Sequence, residues 1–202
     1  MSHKPFIKIC GMTTPVAVST ALACEVDAIG FVFAASVRQV TTQRASELAA
    51  AARGRIACVA VTRHPTREQV AEILRDFTPD ILQTDIDDIA GLNLPKTLSV
   101  LPVMRPGLQA SCELPGRILY EGPVSGSGQT TDWTIAAELA RRCDVILAGG
   151  LNPLNVGVAV RQVRPFGVDV SSGVEERPGV KSADRIEKFV AAARMAALEL
   201  NT

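Results

Sequence analysis

The sequence predicts an α/β fold, a (β/α)8 TIM barrel that forms a single domain over residues 1–202. Short apolar runs alternate with helix-like segments, which is typical of a parallel sheet. Eight such units in 202 residues lie near the lower size limit of this barrel and leave no room for a second domain. The runs begin near Phe6, Ala28, Ile56, Ile81, Leu98, Ile118, Val145 and Val168.

Helix start signals follow several of these runs. Thr14 precedes Pro15, and Thr42 precedes the segment RASELAAAA. Thr66 has Gln69 three residues later, which predicts a capping box. Ser182 stands before ADRIEKFVAAARMAALEL and predicts the start of a long final helix.

The fourth and fifth units depart from this pattern. DIDDIAGLNLP after the fourth run allows two helical turns at most, and SCELPG before the sixth run is equally short. We therefore expect short or irregular helices after strands 4 and 5. A doubly wound open sheet is the structural alternative.

The composition favours a small-molecule partner. The chain has 21 Lys and Arg residues against 21 Asp and Glu residues, so its charge does not favour nucleic acid or an anionic membrane. The N-terminus MSHKPFIKIC lacks a long apolar segment, and no run approaches the ~20 residues that span a bilayer. We expect a cytoplasmic protein, and the sequence leaves open whether it is a monomer or a homodimer.

Five cysteines form an odd number without CxxC spacing, so the sequence supports neither a disulfide framework nor a zinc site. Four of them, Cys24, Cys58, Cys112 and Cys143, are interpreted as small buried hydrophobic residues. Cys10 differs because it is the last strand residue before a Gly-Met-Thr turn. A thiol at this end of a barrel strand can act as a base or a nucleophile.

The last two runs end in small residues, Gly149-Gly150 and Ser171-Ser172-Gly173. Glycine-rich turns after strands 7 and 8 of such barrels commonly bind phosphate through backbone N–H groups. Asn152 before Pro153 resembles a helix N-cap that would add donors. Two ordinary strand-to-helix turns are the alternative interpretation.

Two further strand ends carry charged residues that could reach the barrel mouth. Arg38 follows strand 2 and could clamp a carboxylate, although an isolated loop arginine is commonly solvated. Glu121 follows strand 6, across the mouth from Cys10, where an acid and a base could form a pair. Taken alone, Glu121 could equally be a structural carboxylate.

Five segments occur in a combination and order that resemble the phosphoribosylanthranilate isomerase family of tryptophan biosynthesis. The resemblance extends over nearly the whole chain. The segments are KICGMT at 8–13, GFVF at 30–33, GSGQTTDW at 126–133, LAGGLNPLNV at 147–156 and GVDVSSGVE at 167–175.

This resemblance implies roles for the residues already named. Cys10 falls on the family's general base, and Arg38 on the arginine near the anthranilate carboxylate. Asp169 falls on the aspartate near the ribose portion of the substrate. The phosphate-binding loops correspond to Gly149, Gly150, Ser171, Ser172 and Gly173.

Two positions depart from the family's pattern. Glu121 stands where the family generally has Asp as general acid. The fourth strand ends in Leu82-Gln83-Thr84-Asp85, where the family usually has Gln-Leu-His-Gly. Asp85 is therefore a possible second acid at the mouth.

The implied reaction is the Amadori rearrangement of N-(5′-phosphoribosyl)anthranilate, which needs no metal and no organic cofactor. It requires a protonated Glu121 and a Cys10 thiolate. Strand alternation places Lys8 inside the barrel beside Cys10, and a buried lysine needs a partner, for which Asp169 is a candidate.

Three alternatives remain. The sister isomerase of histidine biosynthesis uses Asp as its base and is a longer chain. Cys10 argues against this alternative. Indole-glycerol-phosphate synthase expects a catalytic lysine and a longer N-terminal extension, whereas five residues precede strand 1 here. The third alternative is a catalytically impaired phosphosugar-binding barrel, in which the two departures from the family's pattern would be the changes that removed activity.

Overall fold

The computed structural model describes residues 4–107, 114–122 and 131–200. Eight parallel strands close into a barrel in sequence order, with β1 paired to both β2 and β8. This closure confirms the predicted (β/α)8 barrel and excludes the open sheet. The strands are β1 (Phe6–Cys10), β2 (Ala28–Val32), β3 (Ala57–Val61), β4 (Ile81–Asp85), β5 (Ser99–Met104), β6 (Arg117–Tyr120), β7 (Asp144–Leu147) and β8 (Gly167–Val170).

Helices follow the strands and cover the outside of the barrel. They are α1 (Pro15–Ala23), α2 (Thr42–Ala49), α3 (Arg67–Asp76), α4 (Ile86–Ile89), α5 (Trp133–Ala140), α6 (Val156–Val163) and α7 (Ala183–Glu199). After β8 come a 3-10 turn (Ser172–Val174) and a hairpin of β9 (Glu175–Arg177) and β10 (Val180–Lys181). Within the described ranges, no helix is both long and apolar enough to cross a membrane.

The short helix expected after strand 4 is present as α4, which has 4 residues. Between β5 and β6, residues 105–107 and 114–116 are not helical, and residues 108–113 lie outside the described part. Cys112 is among them.

Most predicted helix starts are confirmed, and two are wrong. Thr66 and Gln69 form the predicted capping box, and Thr14 and Ser182 cap α1 and α7. The cap of α2 is Thr41, so Thr42 is already helical. Asn152 is not the cap of α6, because its side-chain oxygen accepts hydrogen bonds from the N–H groups of Leu154 and Asn155. That turn delays the helix, which begins after Asn155.

Alternation along the strands separates two layers of core. Ile7 and Ile9 of β1 belong to the larger cluster, which also includes buried residues of the helices. A smaller cluster fills the barrel interior and contains Leu101, Val103, Leu119, Ile146 and Ala148. Lys8 and Cys10 alternate with Ile7 and Ile9, so they face the barrel interior.

The other described cysteines have free thiols and lie in, or pack against, the larger hydrophobic cluster. Cys58 is fully buried, as predicted. Cys24 and Cys143 are only partly buried and pack against the same cluster, so their burial is less complete than expected.

Candidate active site

The carboxyl ends of the barrel strands bring the predicted site residues to one face. Cys10 ends β1, Asp85 ends β4, Glu121 follows β6 and Asp169 lies in β8. Around the closed barrel, β7 and β8 separate β6 from β1. Glu121 and Cys10 therefore lie on different walls of the same mouth.

A buried ion pair lies next to Cys10. Lys8 Nζ donates a hydrogen bond of 2.7 Å to Asp169 Oδ1, which confirms the expected partner of this lysine. Burial opposes the charge on Lys8, but the attraction of Asp169 and of Cys10 outweighs it and raises the pKa of Lys8 to about 12. Lys8 is therefore a cation in the barrel interior at neutral pH.

The Cys10 thiol is buried, with 7% of the residue exposed. Burial raises the pKa of Cys10 above its ordinary value, and the charges of Lys8 and Lys181 only partly oppose this effect. A Cβ atom on Gly30 would lie 3.0 Å from the sulfur of Cys10, so glycine at that position leaves room for the thiol.

Arg38 is engaged by a carboxylate of the protein itself. Its Nε donates to Glu175 Oε1 at 2.6 Å, and its Nη2 donates to Glu175 Oε2 at 2.9 Å. The sequence suggested that Arg38 could clamp a carboxylate, and the structure shows a bidentate contact with the carboxylate of Glu175. Arg38 is accordingly a fixed group and not a solvated loop arginine.

Glu175 and Lys181 tie the hairpin after β8 to the neighbouring loops. Lys181 Nζ donates to Glu175 Oε1 at 2.8 Å and to the carbonyl oxygen of Ser171 at 3.0 Å. Ser171 Oγ donates to the carbonyl oxygen of Cys10 at 3.0 Å. Burial opposes the charge of Glu175, yet the hydrogen bonds from Arg38 and Lys181 outweigh it and lower its pKa. Burial lowers the pKa of Lys181.

Sequence reasoning missed Glu175 and Lys181 as site residues. Glu175 lies in the segment GVDVSSGVE, but nothing in the sequence distinguishes this buried carboxylate from the neighbouring exposed Glu176.

The two small-residue turns lie against each other. A Cβ atom on Gly173 would lie 1.9 Å from the carbonyl oxygen of Leu151, so only glycine permits this contact between the loops after β7 and β8. Gly149 and Gly150 have φ values of 90° and 64°, a region that favours glycine. Asn155 Nδ2 donates to the carbonyl oxygen of Gly150 at 2.9 Å and holds the first turn in place. This arrangement can present backbone groups to an anion.

A guanidinium that the sequence reasoning missed links the two candidate acids. Arg105 directly follows β5, and its Nε donates to Asp85 Oδ1 at 2.9 Å. Its Nη1 donates to Glu121 Oε2 at 3.3 Å and to the carbonyl oxygen of Gly122 at 3.2 Å. Its position directly after a strand was a signal that could have identified it.

Asp85 also has contacts on its other side. Its Oδ2 lies 3.7 Å from Arg63 Nε and 3.8 Å from His64 Nε2. His64 Nδ1 in turn lies 2.9 Å from Asp88 Oδ1. In the described ranges, His64, Asp85 and Asp88 are the one group with the spacing of metal ligands, but both carboxylates already bind cationic or donor groups of the protein.

The geometry agrees with the result of comparisons with known proteins. Residues 7–192 match the family model described as N-(5'phosphoribosyl)anthranilate (PRA) isomerase. A protein of this name from Rhizobium etli is 37% identical over an alignment of 205 positions that covers 92% of each chain. Another from Nitrobacter hamburgensis is 37% identical and covers 96% of this chain and 95% of its own.

Solved structures agree with this match. TrpF from Jonesia denitrificans superposes with a TM-score of 0.80 at 35% identity, over 96% of this chain and 98% of its own. A phosphoribosyl anthranilate isomerase in complex with reduced 1-(o-carboxyphenylamino)-1-deoxyribulose 5-phosphate superposes with a TM-score of 0.78 at 25% identity, over 95% and 99%. The chain therefore belongs to the N-(5′-phosphoribosyl)anthranilate isomerase family, as its sequence motifs predicted.

Proposed function

We propose that this protein catalyses the Amadori rearrangement of N-(5′-phosphoribosyl)anthranilate to 1-(2-carboxyphenylamino)-1-deoxyribulose 5-phosphate, the third step of tryptophan synthesis from chorismate. The observation that carries the proposal is the placement of Cys10 and Glu121 on different walls of one barrel mouth. The glycine turns after β7 and β8 open at the same face.

In this reaction Glu121 is the general acid and Cys10 the general base. Glu121 protonates the ribose ring oxygen as the ring opens to a Schiff base. Cys10 then removes the C2′ proton, and the resulting enolamine tautomerises to the aminoketone. Because Lys8 remains a cation in the barrel interior, its charge favours the thiolate that the second step requires.

The remaining residues bind the substrate. The phosphate occupies the backbone groups of Gly149, Gly150 and the segment Ser171-Ser172-Gly173, and Asp169 contacts the ribose portion. Glu175 accepts hydrogen bonds from Nε and Nη2 of Arg38. The Nη1 group is consequently the one that we propose for the anthranilate carboxylate.

Asp85 is a weaker candidate for the general acid than Glu121. Arg105 lies 2.9 Å from one oxygen of Asp85, and Arg63 and His64 approach the other oxygen. The same guanidinium is 3.3 Å from Glu121. Both oxygens of Asp85 thus face basic side chains of the protein, and we assign the acid role to Glu121, which lies across the mouth from Cys10.

Two experiments test the proposal. One measures turnover of N-(5′-phosphoribosyl)anthranilate by the purified protein, and the other is complementation of a tryptophan auxotroph that lacks this step. Glu121→Gln should reduce turnover to a small residual rate, whereas Asp85→Asn should leave a working enzyme. Binding of the substrate without turnover would instead support the catalytically impaired phosphosugar-binding barrel. Rearrangement of only the histidine-pathway substrate would support the sister isomerase.

The cytoplasmic location stays a prediction. The sequence leaves open whether the protein is a monomer or a homodimer. Sedimentation of the purified protein distinguishes the two assemblies.

A further inference from the structure

The two strand ends that depart from the family's pattern meet at one side chain. Asp85 ends β4 and Glu121 follows β6, and Arg105, at the end of the strand between them, binds both carboxylates. We propose that Arg105, held by Asp85, positions the Glu121 carboxyl group for proton delivery to the substrate. This inference rests on the proposed function and assigns to Asp85 a positioning role in place of an acid role.

The backbone already fixes Glu121 relative to β5. The N–H of Glu121 donates to the carbonyl oxygen of Met104 at 3.1 Å, and Arg105 is the next residue after Met104. The Nη1 group of Arg105 then contacts both the Glu121 carboxylate and the carbonyl oxygen of Gly122. One guanidinium thus holds the side chain of Glu121 and the backbone that follows it.

Burial makes this contact stronger than a surface ion pair. The side chains of Arg105, Asp85 and Glu121 are 16%, 10% and 16% exposed. Exposed pairs contribute little because water and salt screen them, but screening decreases as the pair becomes buried. The Asp85–Arg105–Glu121 arrangement is therefore able to restrict the position of each group.

Asp85 is itself held from the neighbouring strand. Arg63 and His64, which follow β3, approach its second oxygen, and Asp88 accepts from the backbone N–H of His64 at 2.9 Å. Thr84 Oγ1 donates to Asp88 at 3.0 Å. The contacts that end at Glu121 thus run across the ends of four adjacent strands, β3 to β6.

The chemistry explains why such a support is useful. Glutamate has one more methylene and one more rotatable bond than the aspartate that the family has at this position. A displacement of about 1 Å at a reacting group can cost ~100-fold in rate. A guanidinium that binds the carboxyl group limits this freedom.

Arg105→Met and Arg105→Lys test the inference in the full-length protein. Arg105→Met should lower kcat ~10-fold to ~100-fold, while KM changes less than ~3-fold. Arg105→Lys should restore only part of kcat, because an ammonium cannot bridge both carboxylates as a guanidinium does. The limb of the kcat–pH profile that belongs to Glu121 should shift in Arg105→Met, which a purely structural defect would not cause.

Arg117→Met is the matched control. Arg117 begins β6 at the opposite end of the barrel, forms an exposed pair with Asp144 and should leave kcat and its pH profile unchanged. Thermal unfolding of each variant reveals any loss of folding.

A double-mutant comparison isolates the action through Glu121. If Arg105 acts by positioning Glu121, then Arg105→Met should cost nothing further in residual rate once Glu121→Gln is present. Additive losses would overturn the inference, as would wild-type kcat in Arg105→Met. Either result leaves the proposed function intact, whereas a wild-type protein without turnover would overturn both.

Discussion

Lys8 and Asp169 face each other across the seam that closes the barrel, and a hydrogen bond of 2.7 Å joins their side chains. Lys8 is completely buried. Removing one member of such a pair leaves the other as an uncompensated charge, which typically costs 3–5 kcal/mol. The pair therefore ties β1 to β8, and Lys8 is the cation that acts most strongly on the pKa of Cys10.

Lys8→Met should lower the free energy of unfolding by about 3 kcal/mol at neutral pH, measured by chemical denaturation. The double variant Lys8→Met/Asp169→Leu is the control, and it should lose less because no buried charge remains. Equal stability of Lys8→Met and wild type would contradict the prediction.

The same pair predicts an alkaline stability loss. The folded state raises the Lys8 pKa from 10.5 to about 12, so it holds the proton more tightly than the unfolded chain. The stabilisation is fully present below pH 10.5 and is lost as pH rises through about 12. The stability difference between wild type and Lys8→Met should accordingly shrink over this interval, and a constant difference would speak against the pair.

Cys10→Ser should keep the fold and the affinity for substrate but lose most of kcat. A serine hydroxyl has too high a pKa to replace a thiolate as base. Steady-state kinetics together with binding of a product analogue separate the two effects. Near-normal turnover in this variant would remove Cys10 from the role of base.

Sequence reasoning located most of the fold because its signals are local. Apolar runs, caps such as Thr66 with Gln69, and the alternation that places Lys8 beside Cys10 each depend on a few neighbouring residues. The incorrect prediction of a helix start at Asn152 also has a local cause, because an Asx turn and an N-cap use the same side-chain oxygen.

The missed site residues depend on contacts between distant segments. Arg38 and Glu175 are separated by 137 residues, and their pairing exists only after the barrel closes. Arg105 connects the ends of three strands, and its position after β5 does not indicate which carboxylates it binds. Positions at strand ends were predictable, whereas the partners of their charges were not.

Glu175→Gln should loosen Arg38 and raise KM for the substrate ~10-fold, with a smaller change in kcat, because the amide is a weaker acceptor for the guanidinium. Steady-state kinetics measure both constants. Glu47→Gln is the matched control, since it removes an exposed carboxylate that pairs with Arg44 at 3.0 Å. If both variants have the wild-type KM, Glu175 does not position Arg38 for substrate binding.

The final prediction concerns the turn after β7. Gly149 has a φ of 90°, so any other residue there is strained, by about 1–3 kcal/mol. Gly149→Ala and Gly149→Asp should therefore lower Tm to a similar extent.

The two variants should differ in phosphate binding. If the substrate phosphate lies against this turn, the Asp carboxylate repels it, and KM should rise at least ~10-fold further in Gly149→Asp than in Gly149→Ala. Added salt should reduce that difference because it screens the repulsion. Inhibition by inorganic phosphate provides a second measure, since its inhibition constant should rise in parallel with KM. Equal KM values for the two variants would place the phosphate elsewhere, because strain alone acts equally on both.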